Sequence, residues 1–193
     1  MEQLLFFLNA IATSEGWPLS SECLSYLRKI IKARSLKEGD YLLRAGEICT
    51  NLYFIQKGLL KCYYILHENE VSDWFFGEGE TVVSIDSFYD QTASNDFIQA
   101  LKDCELYYIT HEEYLFLNRT FIEFNVVGRY FTNKYLRIWH RQARNIRMLT
   151  AKERYVFLLE NQPELVRNVP LRDLASYLDM SRETLSRMRG LIQ

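Results

Sequence analysis

"DMSRETLSRMRG", residues 179–190, puts three arginines on about three turns of expected helix near the end of a 193-residue chain. Immediately upstream stands "VPLRDLASYL", residues 169–178. With Leu171 opening a two-helix unit, the apolar or small residues fall at Leu174, Ala175, Leu178, Met180, Leu185 and Met188. That is the spacing of two helices that bury one shared face, a helix-turn-helix. Pro170 suits a helix start, where its missing donor costs nothing, and Ala175 is small enough for a second helix to cross closely. Asp179 and Met180 are expected to make the turn, aspartate tolerating the left-handed backbone better than most residues. Ser181 then offers its hydroxyl to the free amides of the second helix.

With Leu185 and Met188 turned inward, helical spacing puts Arg182, Glu183, Ser186, Arg187 and Gly190 on the outward side. An arginine fork pairs with guanine O6 and N7, and a carboxylate accepts from cytosine N4. Arg182, Glu183 and Arg187 therefore form a candidate base-reading trio, with Ser186 beside them and Ser181 and Thr184 placed for phosphates. The competing reading is a solvated cationic helix. Charge distribution weighs against it: the chain is −2 overall, but residues 1–127 hold 10 Lys and Arg against 19 Asp and Glu, and residues 128–193 hold 13 against 6. A polyanion is repelled by the first part and attracted by the second.

The rest of the chain excludes several classes. No run of 18 apolar residues marks a membrane span. "LLFFLNAIA", residues 4–12, is apolar but short and follows Glu2 rather than a basic segment, so it is not expected to be a signal peptide. Cys23, Cys49, Cys62 and Cys104 lie far apart with no C-x-x-C pair, as reduced core thiols of a cytoplasmic protein would. His67, His111 and His140 form no H-x-H pair, and no Gly-rich phosphate loop or nucleophile–base pair is present. No metal, cofactor or enzymatic activity is expected.

"SSECLSYLRKIIKA", residues 20–33, has serine caps and apolar spacing at Leu24, Leu27, Ile30 and Ile31, which predicts an amphipathic helix. Five of the eight glycines then fall between Gly39 and Gly79 and punctuate "YLLRAG", "LYFIQKG", "LLKCYYIL" and "VSDWFFGEGE". These are short strands at the intervals of an antiparallel barrel or sandwich, closed by "FIQALKDCELYYIT", residues 97–110. After "HEEYLFLNR" the pattern turns helical. From about Ile122 to Met148 there is neither proline nor a turn cluster, which predicts a helix about 40 Å long. Phe124, Val127, Phe131, Tyr135 and Ile138 form a three-four apolar seam suited to a second copy of the same helix; burial along its own β domain is the alternative. Arg137, Arg141, Arg144 and Arg147 crowd its later turns.

Taken together these segments resemble the Crp/Fnr transcriptional regulators. "MSRETLSRM" is similar to that family's recognition helix and "EGDYLLRAGEICTNLYFIQKGLLKCYY" to its first strands, with Gly39, Gly46 and Gly58 in the turns. "LTAKERYVFLLENQPEL" resembles the linker and first helix of the DNA-binding domain in the style of Bacteroidetes members. The resemblance implies an α+β chain: an N-terminal double-stranded β-helix (a jelly-roll-like β-roll) of the cyclic-nucleotide-binding type over 1–120, a dimerisation helix and hinge over 121–149, and a C-terminal winged-helix/HTH domain over 150–193. It also implies a cytoplasmic bacterial homodimer on a palindromic double-stranded DNA site. RNA polymerase and an unidentified small-molecule effector are the further partners it admits.

Two departures qualify the resemblance. Cyclic-AMP-binding members carry Gly-Glu and Arg-Ser in their phosphate cassette, the arginine neutralising the cyclic phosphate. Matching "TVVSIDSFYDQTASNDFIQA" to it puts Val83 and Ser84 in the first pair of positions and Ser94 and Asn95 in the second. Asp86, Asp90 and Asp96 add negative charge, so the effector pocket is expected to be altered or empty and not to take cyclic AMP. The second departure is at Gln193, where the sequence ends before a β-hairpin wing. A missing or reduced wing is expected, with Arg172 and Arg189 carrying phosphate contacts. The competing class is a ligand-sensing or protein-interaction module that no longer reads DNA.

Overall fold

The computed structural model describes residues 1–192. Two helices open the chain, α1 (Glu2–Ser14) and α2 (Ser21–Ile30). The "LLFFLNAIA" stretch is α1, and its Leu4, Leu5, Leu8, Ile11 and Ala12 are buried. Helix α2 starts where the Ser20 hydroxyl accepts the Cys23 amide at 3.2 Å, and it carries Glu22 in its first turn and Arg28 and Lys29 in its last, each complementing the helix dipole. It stops three residues short of the expected Ala33. Ile31 takes extended backbone angles (φ −64°, ψ 124°), and Lys32 to Leu36 become strand β1.

The β domain follows with β2 (Tyr41–Leu43), β3 (Asn51–Lys57), β4 (Leu60–Leu66), β5 (Asn69–Phe76), β6 (Thr81–Val82), a short helix α3 (Ile85–Asp90), β7 (Phe97–Ala100) and β8 (Cys104–Thr110). Every pair is antiparallel, in two four-stranded sheets ordered β1-β8-β3-β6 and β2-β7-β4-β5. The expected β-roll is therefore present. Ile55, Leu60, Ile98, Leu106 and Phe88 fill its interior. All four cysteines are buried and unpaired.

Gly58, between β3 and β4, is the turn that only glycine satisfies. Its φ is +111°, and an added Cβ would lie 2.6 Å from the Cys104 sulfur and 2.7 Å from the Asp103 carbonyl oxygen. Gly58→Ala should lower stability by about 2–3 kcal/mol, from backbone strain and overpacking together. Urea denaturation checks this, and an unchanged midpoint would refute it.

Helix α4 (His111–Thr120) opens on a capping box: Thr110 accepts from the Glu113 amide at 3.2 Å, and the Glu113 carboxylate accepts from the Thr110 amide at 2.8 Å. Helix α5 (Ile122–Met148) has the 27 residues expected of it. Its apolar seam, however, is turned onto its own chain. Phe124, Val127 and Phe131 pack with α1 and α2, Ile138 packs against the roll interior, and the Tyr135 hydroxyl accepts from the Thr81 amide at 2.9 Å. Phe124, Val127 and Phe131 are thereby buried within their own chain and Tyr135 and Ile138 are half-buried, the arrangement of the alternative in which the helix lies along its own β domain. α1 is the element that covers much of the seam.

Four further helices follow among the described residues: α6 (Ala151–Asn161), α7 (Pro163–Asn168), α8 (Leu171–Tyr177) and α9 (Arg182–Ile192). Thr150 and Glu153 form a second capping box at α6, and Pro170 stands just before α8 rather than inside it. Leu174, Ala175, Leu178 and Leu185 are buried, with Met180 and Met188 packed against them, as the spacing predicts. This small core also takes in Leu59 and Phe75 from the β-roll. The end of the chain at Gln193, on which the expectation of a reduced wing turns, lies outside the described residues. No helix among the described residues is long and apolar enough to cross a membrane.

Candidate nucleic-acid interface and effector cavity

The turn between α8 and α9 is built from Leu178 to Ser181. Asp179 adopts φ +53°, the left-handed conformation anticipated for it. The Ser181 hydroxyl accepts from the Thr184 amide at 3.1 Å and donates to the Thr184 hydroxyl at 3.1 Å, which fixes the start of α9. Arg154 of α6 holds the turn from behind, donating to the Asp179 carbonyl at 3.0 Å and to the Ile146 carbonyl at 3.1 Å. Nothing in the local sequence pattern singled Arg154 out, because its two partners lie in other elements.

Leu185 is fully buried, and Arg182, Glu183, Ser186 and Arg187 are all exposed on α9. Ser181 is exposed and Thr184 half-buried. Backbone and Ser181 hydrogen bonding hold the Glu183 carboxyl below the usual carboxylate range, so it is an ionised acceptor at neutral pH. Arg172 is exposed on α8, and Arg189 is half-buried on α9. The exposed surface of α9 can thus present two guanidinium forks and one carboxylate.

A second candidate site lies between the β-roll and α5, a cavity of about 550 Å³. Trp74 and Phe76 of β5, Val83 after β6, and Tyr135, Leu136 and Trp139 of α5 line it. Asp73 reaches it through a β-bulge. Along β4 and β5, Cys62 faces Trp74 and Tyr63 faces Ser72, so Asp73 has no opposite residue and breaks the alternation. Of the four residues matched to the phosphate cassette, Val83 lines the cavity, Ser84 and Ser94 are buried beside it, and Asn95 is exposed away from it. The Ser84 and Ser94 hydroxyls lie 2.9 Å apart, and Ser84 donates to the Asp96 carboxylate at 2.7 Å. Asp96 also lines the cavity. Burial, and then the charge of Asp96, push the Asp73 carboxyl above its ordinary range. Among the described residues no group of three or more His, Cys, Asp or Glu is arranged to hold a metal ion.

The chain thus joins a β-roll with a side cavity, a long helix across it and a terminal set of helices. Residues 33–119 match the cyclic nucleotide-binding domain, so the roll is similar to that domain family. Over most of its length the chain shares its fold with solved regulators of the Crp/Fnr type. It is similar to FixK2 from Bradyrhizobium japonicum, with TM-score 0.72 and 18% identity over 84% of each chain. A protein from Eubacterium rectale, described as a transcriptional regulator of the Crp/Fnr family, gives 0.71 and 18% over 91% of this chain and 84% of that one. The c-di-GMP responsive global regulator CLP of Xanthomonas campestris gives 0.67 and 19% over 90% and 92%. A sequence search of curated proteins found no match.

Proposed function

We propose that the chain is a sequence-specific, DNA-binding transcription regulator that acts as a homodimer and catalyses no reaction. In this reading residues 1–120 are the sensor, 121–149 the dimer helix and hinge, and 150–193 the DNA-binding domain, with α8 and α9 as its helix-turn-helix. The observation that carries it is the joint exposure of Arg182, Glu183, Ser186 and Arg187 on α9, a helix anchored by buried Leu185. A two-fold dimer would set two such helices into successive major grooves about 34 Å apart. Ser181, Thr184, Arg172 and Arg189 would serve the phosphates.

The dimer face in this proposal is Leu136, Trp139, Ala143 and Ile146, spaced three-four-three on α5 and exposed. In this proposal the cavity does not take cyclic AMP, because among the described residues no Lys, Arg or His lines it to neutralise a phosphate.

Selection of random duplexes on the purified chain should enrich a palindrome. Arg182→Ala and Arg187→Ala should then each lose about 1–3 kcal/mol of discrimination at one base position per half-site. A wild-type ratio of specific to random DNA binding in both variants would sink the assignment of this face.

A further inference from the structure

The lining of the cavity between roll and α5 fits a ligand of the opposite charge to a nucleotide. Its walls are largely aromatic, with Trp74, Phe76, Tyr89 and Trp139 presenting ring surface. Its ionisable groups include three carboxylates, Asp73, Asp86 and Asp96, and no lysine, arginine or histidine among the described lining residues. The volume of about 550 Å³ lies within the ordinary range for small-molecule sites.

The carboxylates are placed rather than incidental. Asp96 is oriented by the Ser84 hydroxyl at 2.7 Å, and its own amide donates to Ser94 Oγ at 2.9 Å. Asp73 arrives by the bulge in β5, a device that re-aims one side chain and costs the sheet a regular pair. Asp96 disfavours the charged form of Asp73, a repulsion that a cation between them would relieve. Ring faces attract the same cation through their quadrupole. Trp74, only 6% exposed, also carries an indole N–H with no partner, a donor free for an acceptor atom on a ligand.

Resting on the reading of the roll as the sensor, we propose that this cavity binds an organic cation with an apolar body, an aromatic or alkyl amine, and rejects anionic ligands. Binding would place the ammonium between Asp73 and Asp96 and the apolar body against the rings.

The test uses the full chain and three probes of one shape: 4-phenylbutylamine, 4-phenylbutanol and 4-phenylbutyrate, titrated by calorimetry. The amine should bind at least about tenfold tighter than the alcohol, and the carboxylate most weakly. Asp73→Asn combined with Asp96→Asn, which keeps an oxygen to accept from the Ser84 hydroxyl, should bring the amine to the level of the alcohol while leaving alcohol binding unchanged. Asp73→Asn alone, at a position open to the cavity, should already narrow the gap. Equal binding of amine and carboxylate, no saturable heat with any probe, or an amine preference that survives both substitutions would overturn the proposal. The duplex selection addresses the α9 face separately. Amine binding without an enriched palindrome leaves this site standing and removes the DNA reading; a palindrome without amine preference does the reverse.

Discussion

Ala143→Asp combined with Ile146→Asp should convert the chain to a monomer in sedimentation equilibrium and weaken its binding to a palindromic duplex by about 10²- to 10⁴-fold. The size follows from avidity: two linked heads make the second half-site contact an intramolecular event, and separating them removes that gain. The choice of residues follows from how α5 divides its surface. One stripe, from Phe124 through Phe131 to Tyr135 and Ile138, is spent on α1 and the roll. The other carries Leu136 at 62% and Trp139 at 45% exposure, then Ala143 and Ile146, at the alternating three-four spacing two helices need for a common seam. Aspartate is short enough to keep its carboxylate in that seam, where it would face its own symmetry mate. Ala143 and Ile146 lie outside the cavity and outside α9, so a duplex with a single half-site should be bound as by wild type. A variant that remains dimeric would place the two-fold axis elsewhere.

How much of this was legible in the sequence depends on whether the deciding interaction is local. The strands of the roll were, because glycines with positive φ such as Gly39, Gly46 and Gly58 must stand at their ends. The span of α5 was, because nothing interrupts it between Ile122 and Met148. The stop of α2 was not: Ile30 and Ile31 continue the helical spacing, and only the pairing of Lys32 with Tyr108 of β8 draws the chain into a strand. The opening helix lacked a signal of its own, its Leu-Phe run being apolar nearly all round, with Phe6 left 78% exposed. The seam of α5 could be read as apolar but not assigned to a partner, since a helix with two apolar stripes does not say which one its own chain covers. In the cavity the cassette alignment reached Val83 and the acidity of Asp86 and Asp96. Asp73 was beyond it, because a bulge exists only once two strands are paired.

Lys61→Ala should cost about 3–5 kcal/mol of stability, the penalty of leaving a buried charge without its partner. Lys61 sits in β4 within the run "LLKCYYIL", and its side chain is 5% exposed. Its ammonium contacts Glu70 of β5 at 3.1 Å and Asp173 of α8 at 3.3 Å, and lies 4.4 Å over the Tyr63 ring. Glu70 is partly open to solvent, whereas the Asp173 side chain is 10% exposed, so Asp173 is the group stranded by the substitution. Around it the same outer face of the β4–β5 hairpin holds α8 by two more contacts. Ser72 donates its amide to the Ser176 hydroxyl at 3.0 Å, and Phe75 meets Tyr177 edge-on at 5.2 Å. The loss should therefore appear in chemical denaturation as a separation of the C-terminal helices from the roll before the roll itself unfolds. Lys61→Met combined with Asp173→Leu is the control. Removing both charges removes the desolvation cost along with the attraction, so this pair should stay near or above wild-type stability. If Lys61→Ala alone were as stable as wild type, Asp173 would have to find water or another donor, and α8 would not be docked on the hairpin as described. The inner face of that hairpin, through Cys62, Trp74 and Phe76, is a wall of the cavity. One two-stranded element thus stands between the candidate ligand and the helix that leads into α9, and Lys61 is the charge that fastens its outer side.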